Sequence, residues 1–169
     1  MVSVLILLFV VSVLIVLFVS VFYTQSPCSL NTSTLGNEGL PPVMRSSYDR
    51  IRESGAHLVD NGLVLIMWVG ANTPSKWLQE VFGVTVLDQV DPTVGNLQPF
   101  DNATSIRVRE VIDEIRATRQ QHLRLNVVRQ KDKTEHIFMQ FLVEDKTEQG
   151  MNYTDFLCSI HREIRSILS

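Results

Sequence analysis

The chain divides into stretches that are apolar throughout, stretches that are apolar on one face, and stretches with no apolar pattern. From Met1 to Tyr23 every residue except Ser3, Ser12 and Ser20 is apolar, and none is charged. At about 1.5 Å rise per residue, Val2 to Phe22 is long enough to cross a bilayer as a helix. No basic residue precedes it and Ser20-Val21-Phe22 is a poor cleavage pattern, so it does not read as a signal peptide. Two readings stand for residues 1–23: a transmembrane helix, or a spurious start foreign to the mature product. Arg45 is the nearest cation and lies too far away to orient a span by the positive-inside rule. Residues 24–43, rich in Ser, Thr, Asn, Gly and Pro, read as a linker that ends in Pro41-Pro42. The folded part is expected over 44–169.

Within that part the pattern changes period several times. Ala56 to Val59 and Leu63 to Val69 flank Asp60-Asn61-Gly62, which predicts a hairpin closed by a type I′ turn. The second arm is apolar at every position, as expected of a strand covered on both faces in the middle of a sheet. Pro74 suits the first turn of a short helix carrying Trp77, Leu78, Val81 and Phe82 on one face. Val84, Val86 and Leu87 suggest another short strand, and residues 91–102 a loop. Over 103–119 the stripe Val108, Val111, Ile112, Ile115 predicts an amphipathic helix, with Asn102 or Thr104 as its cap. Residues 123–128 read as a buried strand. Ile137, Phe138, Phe141 and Leu142 place a helix over 135–143. Tyr153, Phe156, Leu157, Ile160, Ile164, Ile167 and Leu168 mark a last amphipathic helix with Asn152 as N-cap and Ile160 in its buried stripe. This order implies an α/β fold: a mixed sheet with helices on its faces.

Composition sharpens the division. The whole chain is 45% hydrophobic, yet all of its 15 basic and 18 acidic residues lie at or after Glu38. Beyond the apolar start the chain is charged like an ordinary soluble domain. That excludes intrinsic disorder, and two cysteines exclude a disulfide scaffold. The net charge of −3 gives no field favouring nucleic acid. Eight basic against four acidic residues fall between Arg107 and Lys133, a docking surface or, more commonly, a solvated face with local ion pairs.

The chain carries few residues arranged for chemistry. No nucleophile elbow, phosphate loop or His-Glu-x-x-His is present, and the four histidines, His57, His122, His136 and His161, sit on separate predicted elements. Cys158 and His161 share a helix face but lack further ligands nearby. Glu144-Asp145 reads as a contact for a partner or a cation or, more commonly, a solvated acidic pair, and Trp68 and Trp77 are core residues in preference to stacking platforms. Asn31, Asn102 and Asn152 head glycosylation sequons, which matter only in a lumenal protein. No catalytic, cofactor-binding or metal-binding residue is assigned, no cofactor is expected, and the chain is not expected to be an enzyme.

Four stretches in order carry a family likeness. Leu58-Val59-Asp60-Asn61-Gly62-Leu63 with Leu65-Ile66-Met67-Trp68-Val69-Gly70 resembles the hairpin of gelsolin-like domains. Val127 to Lys133, Phe141 to Lys146 and Tyr153 to Ile164 narrow the likeness to the C-terminal end of the cargo-adaptor subunit of the inner COPII coat, the Sec twenty-four family, in its C/D-type branch. The resemblance covers about Leu40 to Ser169. It implies a gelsolin-like domain over 44–169 with a C-terminal amphipathic helix. It implies a role in ER-to-Golgi transport through protein–protein contacts, with the inner-coat partner subunit and the ER membrane as partners. Neither nucleic acid nor a small-molecule substrate is implied. The implied location is the cytoplasmic face of the ER membrane and COPII vesicles. Family members are far longer, and their zinc-binding, trunk and β-sandwich regions lie upstream of the matched part. They are soluble, so residues 1–23 have no counterpart in them. The competing reading, from the apolar start and the sequons, is a single-pass membrane protein with a non-cytosolic gelsolin-like domain.

Overall fold

The computed structural model describes residues 27–36, 38–119, 122–142 and 153–168. The apolar run 1–23, Asn152 and the Glu144-Asp145 pair lie outside them. Among the described residues no helix is long and apolar enough to cross a membrane.

Four strands form one mixed sheet in sequence order: β1 (Cys28–Ser29), β2 (Ala56–Asp60), β3 (Val64–Val69) and β4 (Arg124–Arg129). The first three are antiparallel neighbours, and β4 lies parallel to β3 with Val64 opposite Arg124 and Val69 opposite Arg129. The helices are α1 (Ser75–Phe82), α2 (Ala103–Ala117), α3 (Glu135–Met139) and α4 (Tyr153–Leu168).

The uninterrupted apolar run of β3 is explained by its burial on both faces. Leu65, Met67 and Val69 point to a cluster shared with Trp77, Leu78 and Val81 of α1 and Val108, Val111 and Ile112 of α2. Ile66 and Trp68 point the other way, to a smaller cluster with Val59, Val128, Phe138 and Leu142. Trp68 stacks on Phe138 at 5.6 Å between centroids, and its Nε1 donates to Glu135 Oε1 at 3.0 Å. Each large aliphatic side chain buried this way contributes about 1.5–3 kcal/mol.

Asn102 caps α2: its Oδ1 accepts from the Ser105 amide at 2.8 Å. The turn after β2 differs from the expected type I′. Among its residues only Gly62 has positive φ, at 81°, whereas type I′ needs it at both central positions. The side chains account for this. Asp60 Oδ1 accepts from the Gly62 amide at 2.8 Å, and Asn61 Oδ1 accepts from the Leu63 and Val64 amides at 2.9 and 2.8 Å.

Three further expectations are corrected. Val84, Val86 and Leu87 form no strand; a 3-10 turn covers Leu87–Gln89, with Val84 and Leu87 leaning on the larger cluster. The helix expected over 135–143 stops at Met139, where i→i+3 bonds to the Phe141 and Leu142 amides tighten the chain. Part of the expected linker belongs to the core. Leu30 and Leu35 are buried, β1 pairs with β2, and Trp77 Nε1 donates to the Leu30 carbonyl at 3.2 Å. Two isolated leucines in a polar stretch carry no periodicity from which this could be read.

Two predictions follow from packing. Gly70 lies so close to the 53–55 turn that a Cβ there would stand 2.1 Å from the Glu53 carbonyl oxygen. Gly70→Ala is expected to destabilise by about 2 kcal/mol or more, read as a lower denaturant midpoint; an unchanged midpoint would contradict this close approach.

His57 is buried on β2, where its Nε2 accepts from the Arg52 amide at 3.0 Å and its Nδ1 has no partner among the described residues. Burial pushes its pKa below the ordinary 6.5, and the folded protein therefore binds fewer protons than the unfolded chain. Stability is full above pH 6.5, declines as pH falls below it, and levels off once the folded-state pKa is passed. Denaturant titrations at a series of pH values are expected to show this slope, and His57→Gln to flatten it.

Candidate interaction surface

The residues singled out for chemistry are scattered by the fold. Cys28 is buried and its thiol is pushed up to about 11 by burial, which keeps it protonated and unreactive. His57 is in the core, whereas His122, His136 and His161 are exposed on different segments. Cys158 and His161 lie together on α4 beside Leu157, Ile160 and Ile164, facing a shallow apolar groove. Among the described residues no group of three His, Cys, Asp or Glu side chains is placed to hold a metal ion. Both tryptophans are core residues, as expected, at 0% and 5% exposure.

The basic stretch 107–133 serves largely to fasten loops. Arg107 donates from Nε to the Gly36 carbonyl at 3.2 Å and from Nη2 to the carbonyls of Leu35 and Gly39, while Nη1 meets Glu110 at 3.2 Å. Arg116 reaches the Leu123 carbonyl at 3.0 Å and Asn96 Oδ1 at 2.9 Å. Arg119 grips Asp60 Oδ2 through Nε at 2.8 Å and through Nη2, tying the end of α2 to the hairpin turn. Arg129 donates to the Asp88 carbonyl at 2.7 Å and to Asp132, whose carboxyl it holds below the ordinary value. The planar guanidinium suits this work because its several donors satisfy carbonyls that would otherwise be left unpaired. A count of charges along the sequence has no means of separating such fasteners from a docking face.

Two sequon asparagines are also in structural use. Asn102 Nδ2 donates to the Glu80 carbonyl at 2.9 Å, and Asn31 Oδ1 accepts from the Ala56 amide at 3.2 Å in close contact with Gly55. A glycan on Asn102 would replace a hydrogen on the nitrogen that makes its contact.

What remains open is α4. Its charged residues line one side and Leu157, Ile160, Ile164 and Ile167 the other, spaced 3, 4 and 3 residues apart. The expected buried stripe is not buried: Leu157 is 38% and Ile167 43% exposed, and Ile160 and Ile164 are half-buried. Among the described residues no α4 side chain belongs to either core cluster, and α1, α2 and α3 supply the helical cover of the sheet. An apolar helix face of this kind is a candidate interaction surface.

Residues 37–110 match the gelsolin repeat. Human protein transport protein Sec24C is 39% identical over 89% of this chain, and human Sec24D is 33% identical over 88%. A crystal structure of the human COPII-coat protein Sec24c superposes with a TM-score of 0.76 at 40% identity, covering 88% of this chain and 20% of that one. The mixed sheet between helices and the matched repeat define a gelsolin-like α/β domain. The chain belongs to the Sec24 family of protein transport proteins, over the family's gelsolin-like region. It spans 14% of the length of the two human relatives.

The exposure of α4 sets a direct test. Ile160→Asp is expected to leave the melting temperature of the domain unchanged within the effect of a surface substitution, about 0.5 kcal/mol. A loss of several kcal/mol in differential scanning calorimetry would show that α4 is packed against the domain.

Proposed function

We propose that this chain acts as the gelsolin-like portion of a COPII coat adaptor in ER-to-Golgi transport. It works by protein–protein contact, with the inner-coat partner subunit as its partner, at the cytoplasmic face of the ER membrane and of COPII vesicles. The observation that carries the reading is the 39% identity to human Sec24C over 89% of the chain. The surface chemistry agrees with it. The buried Cys28 is held as a thiol, the two tryptophans are committed to packing, and much of the basic stretch is committed to loops. The apolar face of α4 is left available to a protein partner.

The test is co-sedimentation of the full chain with the inner-coat partner subunit, with full-length Sec24C as the reference. Retention of the chain, reduced by Ile160→Asp together with Ile164→Asp, is the expected result. Failure of the chain to sediment where full-length Sec24C does so would overturn the proposal that this portion makes the contact.

A further inference from the structure

A notch of about 520 Å³ lies where four segments meet: the arm at 32–33, the turn at 52–54, the start of α1 and the start of α2. Its rim is rich in donors and poor in free acceptors. The Arg52 guanidinium makes no hydrogen bond or ion pair among the described residues, while the Arg52 backbone N–H donates a hydrogen bond to His57 Nε2. The Lys76 ammonium, 85% exposed, forms a long i,i+4 ion pair with Glu80 Oε1 at 3.8 Å. The hydroxyls of Thr32, Ser33 and Ser54 have no side-chain partner among the described residues. The one carboxylate on the rim, Glu80, is drawn toward α2 by the Thr104 hydroxyl, which donates to its Oε2 at 2.6 Å. Two cations and three hydroxyls thus line a hollow whose one carboxylate, among the described residues, is engaged by Thr104 and Lys76.

We propose that this notch binds the phosphate monoester of a phosphorylated serine or threonine on a partner protein. A tetrahedral phosphate carries three strong acceptor oxygens and close to two negative charges, which matches two cations with several hydroxyl donors. A membrane headgroup fits less well. The hollow holds two cations where lipid surfaces are recognised by clusters of about four to eight, and the chain's net charge is −3. The proposal rests on the reading of the chain as a protein–protein module and gives that module a second contact, apart from α4.

The test is a ¹H–¹⁵N NMR titration of the full chain with the blocked tripeptide Gly-phosphoserine-Gly. Its unphosphorylated counterpart, inorganic sulfate and phosphatidylcholine vesicles carrying phosphatidylinositol 4-phosphate are the other arms. Saturable shifts confined to the amides around Thr32, Ser33, Arg52, Ser54 and Lys76, with the phosphopeptide alone, are expected. Arg52→Gln combined with Lys76→Gln is expected to weaken binding about tenfold or more, with unchanged melting and unchanged co-sedimentation with the inner-coat partner. Absence of saturation, equal shifts with the unphosphorylated peptide or with sulfate, or binding to vesicles alone would each overturn the proposal. Loss of co-sedimentation in the wild-type chain with the phosphopeptide response intact would instead count against the coat reading alone.

Discussion

The structure depends on one constraint: β3 must be covered on both faces. A six-residue strand with no polar side chain leaves no face for water, so one side of it requires α1 and α2 and the other requires α3 with the Trp68–Phe138 stack. Its two edges must also be paired. Parallel pairing with β4 needs a long crossover, and the chain between them supplies α1, the turn at 87–89 and α2. The rest of the domain fills in around this. The close approach of Gly70 to the 53–55 turn seats the end of β3, and the Gln130 side chain holds the same corner by donating to Glu53 and accepting from the Ala71 amide.

With the sheet closed in this way, the loops become the remaining problem of stability, and arginine is the residue that solves it. Arg107, Arg116, Arg119 and Arg129 each span two segments distant in sequence and satisfy carbonyls or a carboxylate there. The bonds of Arg116 to the Leu123 carbonyl and of Arg119 to Asp60 are partly buried and worth more than exposed ion pairs, which contribute little. The same arrangement commits four of the eight cations of the basic stretch to internal contacts. Two features stand apart from these contacts: the apolar face of α4 and the donor-rich notch beside α1.

Legibility in the sequence followed the physics of each element. The hairpin arms, α2 and its Asn102 cap could be read because burial on a regular element leaves a period, and because a cap needs a particular side chain. The α/β class and the gelsolin-like likeness came from the same regular parts. Leu30 and Leu35 could not be read as core, since their burial depends on a tertiary contact with Trp77 and on the Arg107 bonds to the arm. The turn type was missed because Asp60 and Asn61 side chains took over amides that a bare Asn-Gly turn would leave to the backbone. For α4 the sequence contained nothing about what would cover its apolar stripe. The notch beside α1 was equally invisible, because its groups come from four separate stretches with no shared motif.

The central claim is that a doubly buried β3 organises a domain that includes the arm from residue 27 and leaves α4 outside its cooperative core. Native-state amide hydrogen exchange measures this directly. The account predicts that amides of β3 exchange only by global unfolding, that the Leu30 amide, bonded to the Ala56 carbonyl at 2.9 Å, shares that protection, and that α4 exchanges by a far less costly opening. Protection of α4 equal to that of β3, or rapid exchange at Leu30, would contradict it.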